Sequence, residues 1–177
     1  MAERAAAPTI ILPDDQVAAI VEAMADAIAP RIDDETVFVC MLTGGVWFAA
    51  DLSRALSRRG RNPMFDCLWV SSYADGRTTT GVVQIRAGLQ RPVQGRRVLL
   101  VDDVVESGLS LAESARIMRD SGASQVLTAV FARKPIAFPR AIEPDFTGWE
   151  APDRFLVGYG MDMAGRLRGL GGVAALD

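Results

Sequence analysis

Two adjacent carboxylates follow a short apolar run near the middle of the chain, and a loop rich in hydroxyl groups comes directly after them. The run spans residues 98–101, the acids are Asp102 and Asp103, and the loop spans 107–110. Backbone N–H groups of such a loop, at the start of a helix, bind phosphate well. Carboxylates accept hydrogen bonds from vicinal hydroxyls or bind a metal ion. This stretch therefore predicts a site for a phosphorylated sugar.

The same order of strand, tight turn and helix occurs elsewhere in the chain. An apolar run at 37–42 is followed by the glycine turn 43–45 and a helical pattern, and a run at 126–131 ends just before Arg133 and Lys134. Strands that alternate with helices predict an α/β fold with a mostly parallel sheet and helices on both faces. Because ligands bind beyond the carboxyl ends of strands in such sheets, these turns are expected to share one site.

Two further segments are predicted from local patterns. Asp14 or Asp15 is expected to cap a helix over 16–29. The small, polar stretch 74–81 is expected to form a weakly structured loop. A long polar loop inside a compact domain is often a functional lid, or else a hairpin without a role.

The composition limits the class of protein. A chain of 177 residues suits one domain, and a net charge of −3 gives no general attraction to nucleic acid or to an anionic membrane. No residue is a histidine, which excludes a Ser-His-Asp or Cys-His triad and any histidine metal site. The two cysteines, Cys40 and Cys67, lie in apolar surroundings and are expected to be reduced thiols. Without an apolar signal core or a run of membrane-spanning length, the protein is expected to be cytoplasmic.

The stretch 97–111 resembles the motif that binds phosphoribosyl pyrophosphate (PRPP) in type I phosphoribosyltransferases: four apolar residues, two acids, two apolar residues and a small hydroxyl-rich loop. The segment 144–162 is similar to hypoxanthine-guanine phosphoribosyltransferases, and the resemblance as a whole runs from about residue 37 to about residue 173. It implies a single-domain type I phosphoribosyltransferase fold over 1–177, a mostly parallel sheet flanked by helices. It also implies a small hood from the N-terminal arm and the C-terminal segment, and a flexible lid loop. The Ala-rich residues 1–8 are expected to be disordered.

The resemblance also assigns residues to the two substrates and to Mg²⁺. The PRPP and pyrophosphate contacts that it implies are Thr43, Gly44, Gly45, Asp102, Asp103, Ser107, Gly108, Leu109, Ser110 and Arg168. Ser72 and Tyr73 would belong to the lid, which excludes water from a reactive ribosyl cation. The Mg²⁺ ligands that it implies are Asp102, Asp103 and Asp162.

A purine base is expected to meet a different set of side chains. Phe155 offers a flat face for stacking, and Lys134 is a donor only, which favours a 6-oxo group over the 6-amino group of adenine. The family resemblance places a lysine at this position against the 6-oxo oxygen and N7, and the backbone at Leu156 against the opposite edge of the base. Taken singly, Phe155 could be a core residue, Lys134 a surface cation, Asp162 a helix cap and Arg168 a solvated charge.

The chain departs from the family pattern at several positions. Glu106 stands where the family has the Asp that assists proton removal from the base, and Asp102 stands where close relatives usually carry Glu. Thr43 replaces a frequent Lys or Arg, whereas Ser107 and Ser110 replace threonines and keep the hydroxyl donors. Because Glu is one methylene longer than Asp, the position of its carboxylate changes, which matters for proton transfer. Glu106 acts as the base with an adjusted backbone, or the enzyme is slower, or the acceptor differs.

The implied activity is transfer of the phosphoribosyl group from PRPP to N9 of hypoxanthine or guanine, giving IMP or GMP and pyrophosphate in purine salvage. The residues leave two alternatives open: a regulator that senses PRPP or nucleotides on the same fold, and a phosphoribosyltransferase for another base such as xanthine. The expected partners are PRPP and a purine base, without nucleic acid or membrane. The resemblance implies a homo-oligomer, either a dimer or a tetramer.

Overall fold

The computed structural model describes residues 7–75 and 78–176, with the backbone alone over 72–75 and 78–83. The strands are β1 (Thr9–Leu12), β2 (Val37–Leu42), β3 (Met64–Asp75), β4 (Thr78–Ala87), β5 (Arg97–Val105), β6 (Gln125–Arg133), β7 (Phe146–Glu150), β8 (Phe155–Val157) and β9 (Val173–Leu176). The helices are α1 (Asp14–Ile28), α2 (Val46–Arg58) and α3 (Leu109–Asp120). Along this described part of the chain, no helix is long and apolar enough to cross a membrane.

The main sheet has the strand order β4-β3-β2-β5-β6-β7. Five neighbouring strands run parallel, namely β3, β2, β5, β6 and β7. At one edge, β4 pairs antiparallel with β3. This arrangement confirms the α/β prediction of a mostly parallel sheet. A second sheet, with the order β1-β9-β8, is antiparallel and joins the N-terminal strand to the C-terminal segment.

Alternate residues of the central strands enter two separate cores. Phe38 and Cys40 of β2 pack with α1 and α2 on one face, whereas Val37, Val39 and Met41 pack with α3 on the other. Strands buried on both faces are expected to be apolar throughout, because both faces carry helices. The apolar runs in the sequence therefore reflect this burial.

The structure corrects the predicted start of the first helix. Helix α1 begins at Asp14, and Pro13 occupies the N-cap position without a side-chain cap. The predicted capping role of Asp14 or Asp15 is therefore wrong, and both carboxylates lie in the first turn. Proline suits the start of a helix because it lacks an N–H group, and acids in the first turn are favoured by the helix dipole.

The prediction of a weakly structured loop over 74–81 is also wrong for its described residues. β3 continues to Asp75 and β4 begins at Thr78, with Ala74 paired to Thr79 and Asp75 to Thr78. The threonines favour a strand because they are β-branched, and the antiparallel ladder satisfies their backbone groups. Residues 76 and 77 lie outside the described residues.

Candidate active site

Three turns meet at the carboxyl edge of the main sheet because β2, β5 and β6 are parallel neighbours. The turn 43–45 follows β2, the loop 106–108 follows β5, and Lys134 follows β6. The backbone N–H of Lys134 donates to the carbonyl of Val105 at 3.0 Å, which ties the third turn to the second. The predicted meeting of these turns at one edge is confirmed.

The acid pair lies within β5 and does not follow it, since β6 continues alongside: Asp102 pairs with Val130, and Val104 with Ala132. Oδ1 of Asp102 accepts the N–H of Asp103 at 3.0 Å, and Oδ1 of Asp103 accepts the N–H of Val104 at 2.8 Å. Burial raises the pKa of both carboxyl groups, and the adjacent Asp103 raises the pKa of Asp102 further. Such a pair is prepared to receive hydroxyl donors or a cation.

The glycine turn packs directly onto this acid pair. A Cβ atom on Gly44 would lie 2.0 Å from Oδ2 of Asp103, and one on Gly45 would lie 2.6 Å from the carbonyl oxygen of Met41. Both distances are far below a van der Waals contact, so both positions require glycine. This close approach brings the backbone of the turn beside the carboxylates, where it can bind an anionic group.

The loop after β5 leads into the N-terminus of α3. Gly108 is the N-cap residue in the left-handed conformation, with φ +76°, and a Cβ there would lie 3.0 Å from the carbonyl of Ile142. The N–H of Leu109 faces Oγ of Ser107 at 3.5 Å, which is a weak contact. The first N–H groups of a helix have no acceptor within the helix, so this N-terminus suits an anion, which the helix dipole also favours.

Two adjoining clefts open on this edge. The first, of about 360 Å³, is lined by Met41, Leu42, Gly44, Val70, Ser71, Asp102, Asp103, Ser110, Asp162 and Arg168. The second, of about 240 Å³, is lined by Asp103, Val104, Glu106, Lys134, Phe155, Leu156, Met161 and Asp162. Asp103 and Asp162 border both clefts. The side chains expected for pyrophosphate and those expected for a base are thus separated, with carboxylates between them.

The second cleft combines an aromatic face with a charge pair. Nζ of Lys134 lies 3.5 Å from Oε2 of Glu106. The Lys134 side chain is only 16% exposed, whereas that of Glu106 is 63% exposed. Phe155 is 55% exposed, which is unusual for a large apolar residue and leaves a ring face open for stacking.

The loop 158–170 supplies the remaining charged groups. Arg168 forms an ion pair with Asp162 at 2.7 Å and donates to the carbonyl of Gly160 at 2.6 Å. The second carboxylate oxygen of Asp162 accepts the N–H of Gly165 at 2.5 Å. Asp162 and Arg168 therefore hold each other in place.

The donor set fits a magnesium ion that is only partly held by protein. Among residues 7–75 and 78–176, no cluster of three or more acidic or thiol side chains is close enough to hold a metal ion. Mg²⁺ keeps several waters and is commonly bound by one or two carboxylates together with substrate phosphates. The oxygens of Asp102, Asp103 and Asp162 beside the first cleft suit that mode.

The other predicted site residues fall into two groups. Thr43, Gly45, Ser107, Gly108 and Leu109 lie in the turns beside the clefts without lining them. Ser72 and Tyr73 belong to the backbone of β3, and their side chains lie outside the described residues.

Sequence reasoning missed several lining residues. Ser71 of β3 lines the first cleft, directly before the predicted lid residues Ser72 and Tyr73. Val104 and Met161 line the second cleft beside Lys134. Val104 directly follows Asp103, and Met161 directly precedes Asp162. Their position beside predicted site carboxylates was the signal that could have identified them.

Comparisons with known proteins agree with this geometry. The family model described as a phosphoribosyl transferase domain matches residues 15–164. A hypoxanthine-guanine phosphoribosyltransferase of Mycobacterium tuberculosis is 35% identical over 143 residues, which is 81% of this chain and 69% of that protein. The chain therefore belongs to the phosphoribosyl transferase domain family.

Two solved structures are similar to this chain over nearly its whole length. A crystal structure of a hypoxanthine phosphoribosyltransferase from Staphylococcus aureus has a TM-score of 0.88 at 25% identity, covering 95% of this chain and 90% of that one. A hypoxanthine-guanine phosphoribosyltransferase from Bacillus anthracis, with a HEPES molecule in its active site, has a TM-score of 0.87 at 27% identity, covering 95% and 98%. The predicted family resemblance and the type I phosphoribosyltransferase fold are both confirmed.

Proposed function

We propose that this protein is a purine-salvage enzyme that transfers the phosphoribosyl group of PRPP to N9 of hypoxanthine or guanine, giving IMP or GMP and pyrophosphate. The observation that carries the proposal is the pair of clefts that meet at Asp103 and Asp162. One cleft is lined by Gly44, Ser110 and Arg168, and the other by Phe155 and Lys134. The reacting carbon of the ribose would lie between them.

The first cleft would bind PRPP along its length. The backbone of turn 43–45 and Arg168 would hold the pyrophosphate, and the loop 107–110 would hold the 5′-phosphate at the N-terminus of α3. Asp102 and Asp103 would accept hydrogen bonds from the ribose hydroxyls. These contacts fix both ends of the sugar, so the reacting carbon is oriented toward the base.

Magnesium is the expected cofactor, and Asp102, Asp103 and Asp162 are the residues that would hold it. When bound, Mg²⁺ supplies neutralisation of the charge that develops on the pyrophosphate leaving group. Arg168 is already beside Asp162, at 2.7 Å, and contributes positive charge to the same end of the cleft.

The second cleft would select the base. Phe155 stacks on the purine, Lys134 donates to the 6-oxo oxygen, and the backbone at Leu156 meets the opposite edge. Glu106 is the group placed to accept the ring proton near N7, and its carboxylate already lies 3.5 Å from Nζ of Lys134. The lysine that we assign to the base therefore also pairs with the proposed proton acceptor.

Further parts of the chain take supporting roles in this proposal. The whole chain, residues 1–177, works as one phosphoribosyltransferase domain, with the sheet of β1, β8 and β9 as a hood over the base. The hairpin of β3 and β4, with Ser72 and Tyr73, closes over the reaction as the lid. The enzyme is a cytoplasmic homo-oligomer, either a dimer or a tetramer, and takes no nucleic acid.

The decisive experiment is a spectrophotometric panel with PRPP and Mg²⁺ in which hypoxanthine, guanine, xanthine and adenine are offered separately. We expect turnover with hypoxanthine or guanine and little with adenine. Lys134→Gln should lower kcat/KM for hypoxanthine by about 10- to 100-fold, because a charge-assisted hydrogen bond is lost. The matched control is Arg133→Gln, since the Arg133 side chain pairs instead with Glu150 and Glu143.

Glu106→Asp belongs in the same panel. Faster turnover by this variant would mean that the longer side chain is a handicap, and slower turnover would mean that the chain is adapted to glutamate. A wild-type protein that binds PRPP but turns over none of the four bases would refute the salvage proposal and favour a regulatory role.

A further inference from the structure

A partly buried hydrogen bond joins two elements that lie far apart in the sequence. The phenol O–H of Tyr159 donates to Oδ2 of Asp51 at 3.0 Å, across 108 positions of the chain. Asp51 lies in α2, the helix that begins directly after the turn 43–45. Tyr159 lies in the loop 158–170. The bond therefore connects the two segments to which we assign pyrophosphate contacts.

Tyr159 is held firmly in the orientation that this bond requires. It is only 4% exposed, and its ring packs against Phe131 with a centroid distance of 4.6 Å. Its backbone has a positive φ of +44°, which is uncommon for a residue other than glycine. Burial raises the pKa of the phenol, so the group stays protonated and remains the donor.

The residue after Tyr159 contacts both pyrophosphate-binding segments. A Cβ atom on Gly160 would lie 2.1 Å from the carbonyl oxygen of Gly44, so the two backbones are in direct contact. Gly160 also accepts a hydrogen bond from Arg168 at 2.6 Å and donates from its N–H to the carbonyl of Arg168 at 3.0 Å. A shift of Tyr159 would therefore move Gly160 relative to both Gly44 and Arg168.

We propose that the hydrogen bond between Tyr159 and Asp51 sets the distance between the turn 43–45 and Arg168, which makes both residues positioning residues for the pyrophosphate end of PRPP. This inference rests on the proposed function. Neither residue lines the two clefts that we assign to the substrates, and we therefore give both a positioning role. The groups that would contact the base lie outside this loop: Phe155 and Leu156 in β8, which pairs with β9, and Lys134 directly after β6.

The test compares PRPP affinity with base affinity in two variants. Tyr159→Phe keeps the ring but loses the donor, and Asp51→Ala loses the acceptor. Each should raise the KM for PRPP and the inhibition constant of pyrophosphate by about tenfold, while the KM for hypoxanthine changes by less than about twofold. The double variant should be no worse than either single variant, because both changes remove the same interaction.

Two control variants separate positioning from general damage. Asp51→Asn keeps an oxygen that can accept the phenol proton and should stay near wild type. Arg54→Ala removes the other partner of Asp51, an exposed ion pair of 3.0 Å, and should leave both KM values unchanged. Since the Asp51 side chain is 47% exposed, Asp51→Ala is expected to fold even if Tyr159→Phe does not, and thermal unfolding checks this.

The outcomes are distinguishable from failure of the proposed function. An equal rise in both KM values, or wild-type behaviour of Tyr159→Phe and Asp51→Ala, would overturn the positioning role. If the wild type turns over no base, the proposed function fails, and calorimetric titration with pyrophosphate then tests the positioning role without turnover. In that titration, unchanged pyrophosphate affinity in both variants would overturn it.

Discussion

Two parts of the site are built in opposite ways. The strand-edge region, residues 97–120, is continuous in sequence: β5, a short loop and α3. The C-terminal loop, residues 158–170, has no helix or strand of its own in the structure and is folded onto the rest of the site. The first region follows from a hydrophobic pattern, and the second follows from backbone turns and close contacts.

The physical contrast lies in what fixes each backbone. Four consecutive residues of β5, from 98 to 101, are fully buried between the two cores. In the C-terminal loop, the residues with positive φ are Gly158, Tyr159, Gly160, Ala164, Gly165 and Leu167. Residues other than glycine pay a conformational cost in this region, so their presence means that surrounding contacts determine the loop.

Gly160→Ala is expected to have the largest effect, because it breaks the contact between the C-terminal loop and Gly44. The new methyl group would meet a backbone oxygen at 2.1 Å, and φ is +100°. We expect the free energy of unfolding to fall by about 2–4 kcal/mol and kcat/KM for PRPP to fall by about 100-fold or more. Urea unfolding and steady-state kinetics measure the two effects.

Gly165→Ala is the matched control in the same loop. Its φ is +78°, but no atom lies within 4 Å of the position a Cβ would take. This variant should carry only the conformational cost of about 1 kcal/mol, with kinetics close to wild type. If the two variants were equally damaged, positive φ alone would explain the effect, and the contact with Gly44 would have no special part in the site.

Most of the strand-edge region could be predicted from the sequence, because burial on both faces forces apolar runs. The runs at 98–101 and 126–131 gave the positions of β5 and β6, though both strands extend further than the apolar residues do. β5 continues through Asp102 and Asp103 because it pairs there with β6. The residue types of one strand do not indicate such pairing. The continuation of β3 and β4 through polar residues was not predicted for the same reason, because backbone pairing between the two strands holds them extended.

The C-terminal loop was predicted only through family resemblance. Its charged residues, Asp162 and Arg168, were identified by motif, but their ion pair and the contact of Gly160 with Gly44 depend on the folded backbone. The bond from Tyr159 to Asp51 joins residues whose separation in sequence carries no local signal. Long-range geometry of this kind follows from the whole fold rather than from any stretch of the chain.

Asp102→Asn tests how the buried carboxylate of the strand-edge region affects the free energy of unfolding. Burial raises the pKa of Asp102 above its value in the unfolded chain, so the unfolded chain releases its proton at lower pH. The contribution of Asp102 to the free energy of unfolding is therefore most favourable at low pH. It is lost as pH rises above about 4, the usual pKa of Asp. The variant should be more stable than wild type by about 1–2 kcal/mol at pH 7, although its turnover falls.

The measurement is the free energy of unfolding of the ligand-free protein at several pH values between 4 and 7. Asn keeps an oxygen for the hydrogen bond that Asp102 accepts from the N–H of Asp103, so packing is preserved. Asp15→Asn removes the same charge at an exposed position and should show no gain that grows with pH. A lower stability of Asp102→Asn at neutral pH would mean that the buried carboxylate is a favourable part of the ligand-free fold.

Ser107→Ala is expected to have the smallest effect and separates structure from ligand binding within the strand-edge region. The hydroxyl oxygen faces the N–H of Leu109 at 3.5 Å, so its loss should change the free energy of unfolding by less than about 0.5 kcal/mol. If the hydroxyl donates to a PRPP phosphate, the KM for PRPP should nonetheless rise about two- to tenfold.

Ser121→Ala, at the other end of α3, is the control. It removes a hydroxyl that donates to the carbonyl of Ile117 at 2.8 Å and should leave the KM for PRPP unchanged. Loss of stability without a change in KM would make Ser107 a helix cap and leave the phosphate to the backbone N–H groups alone.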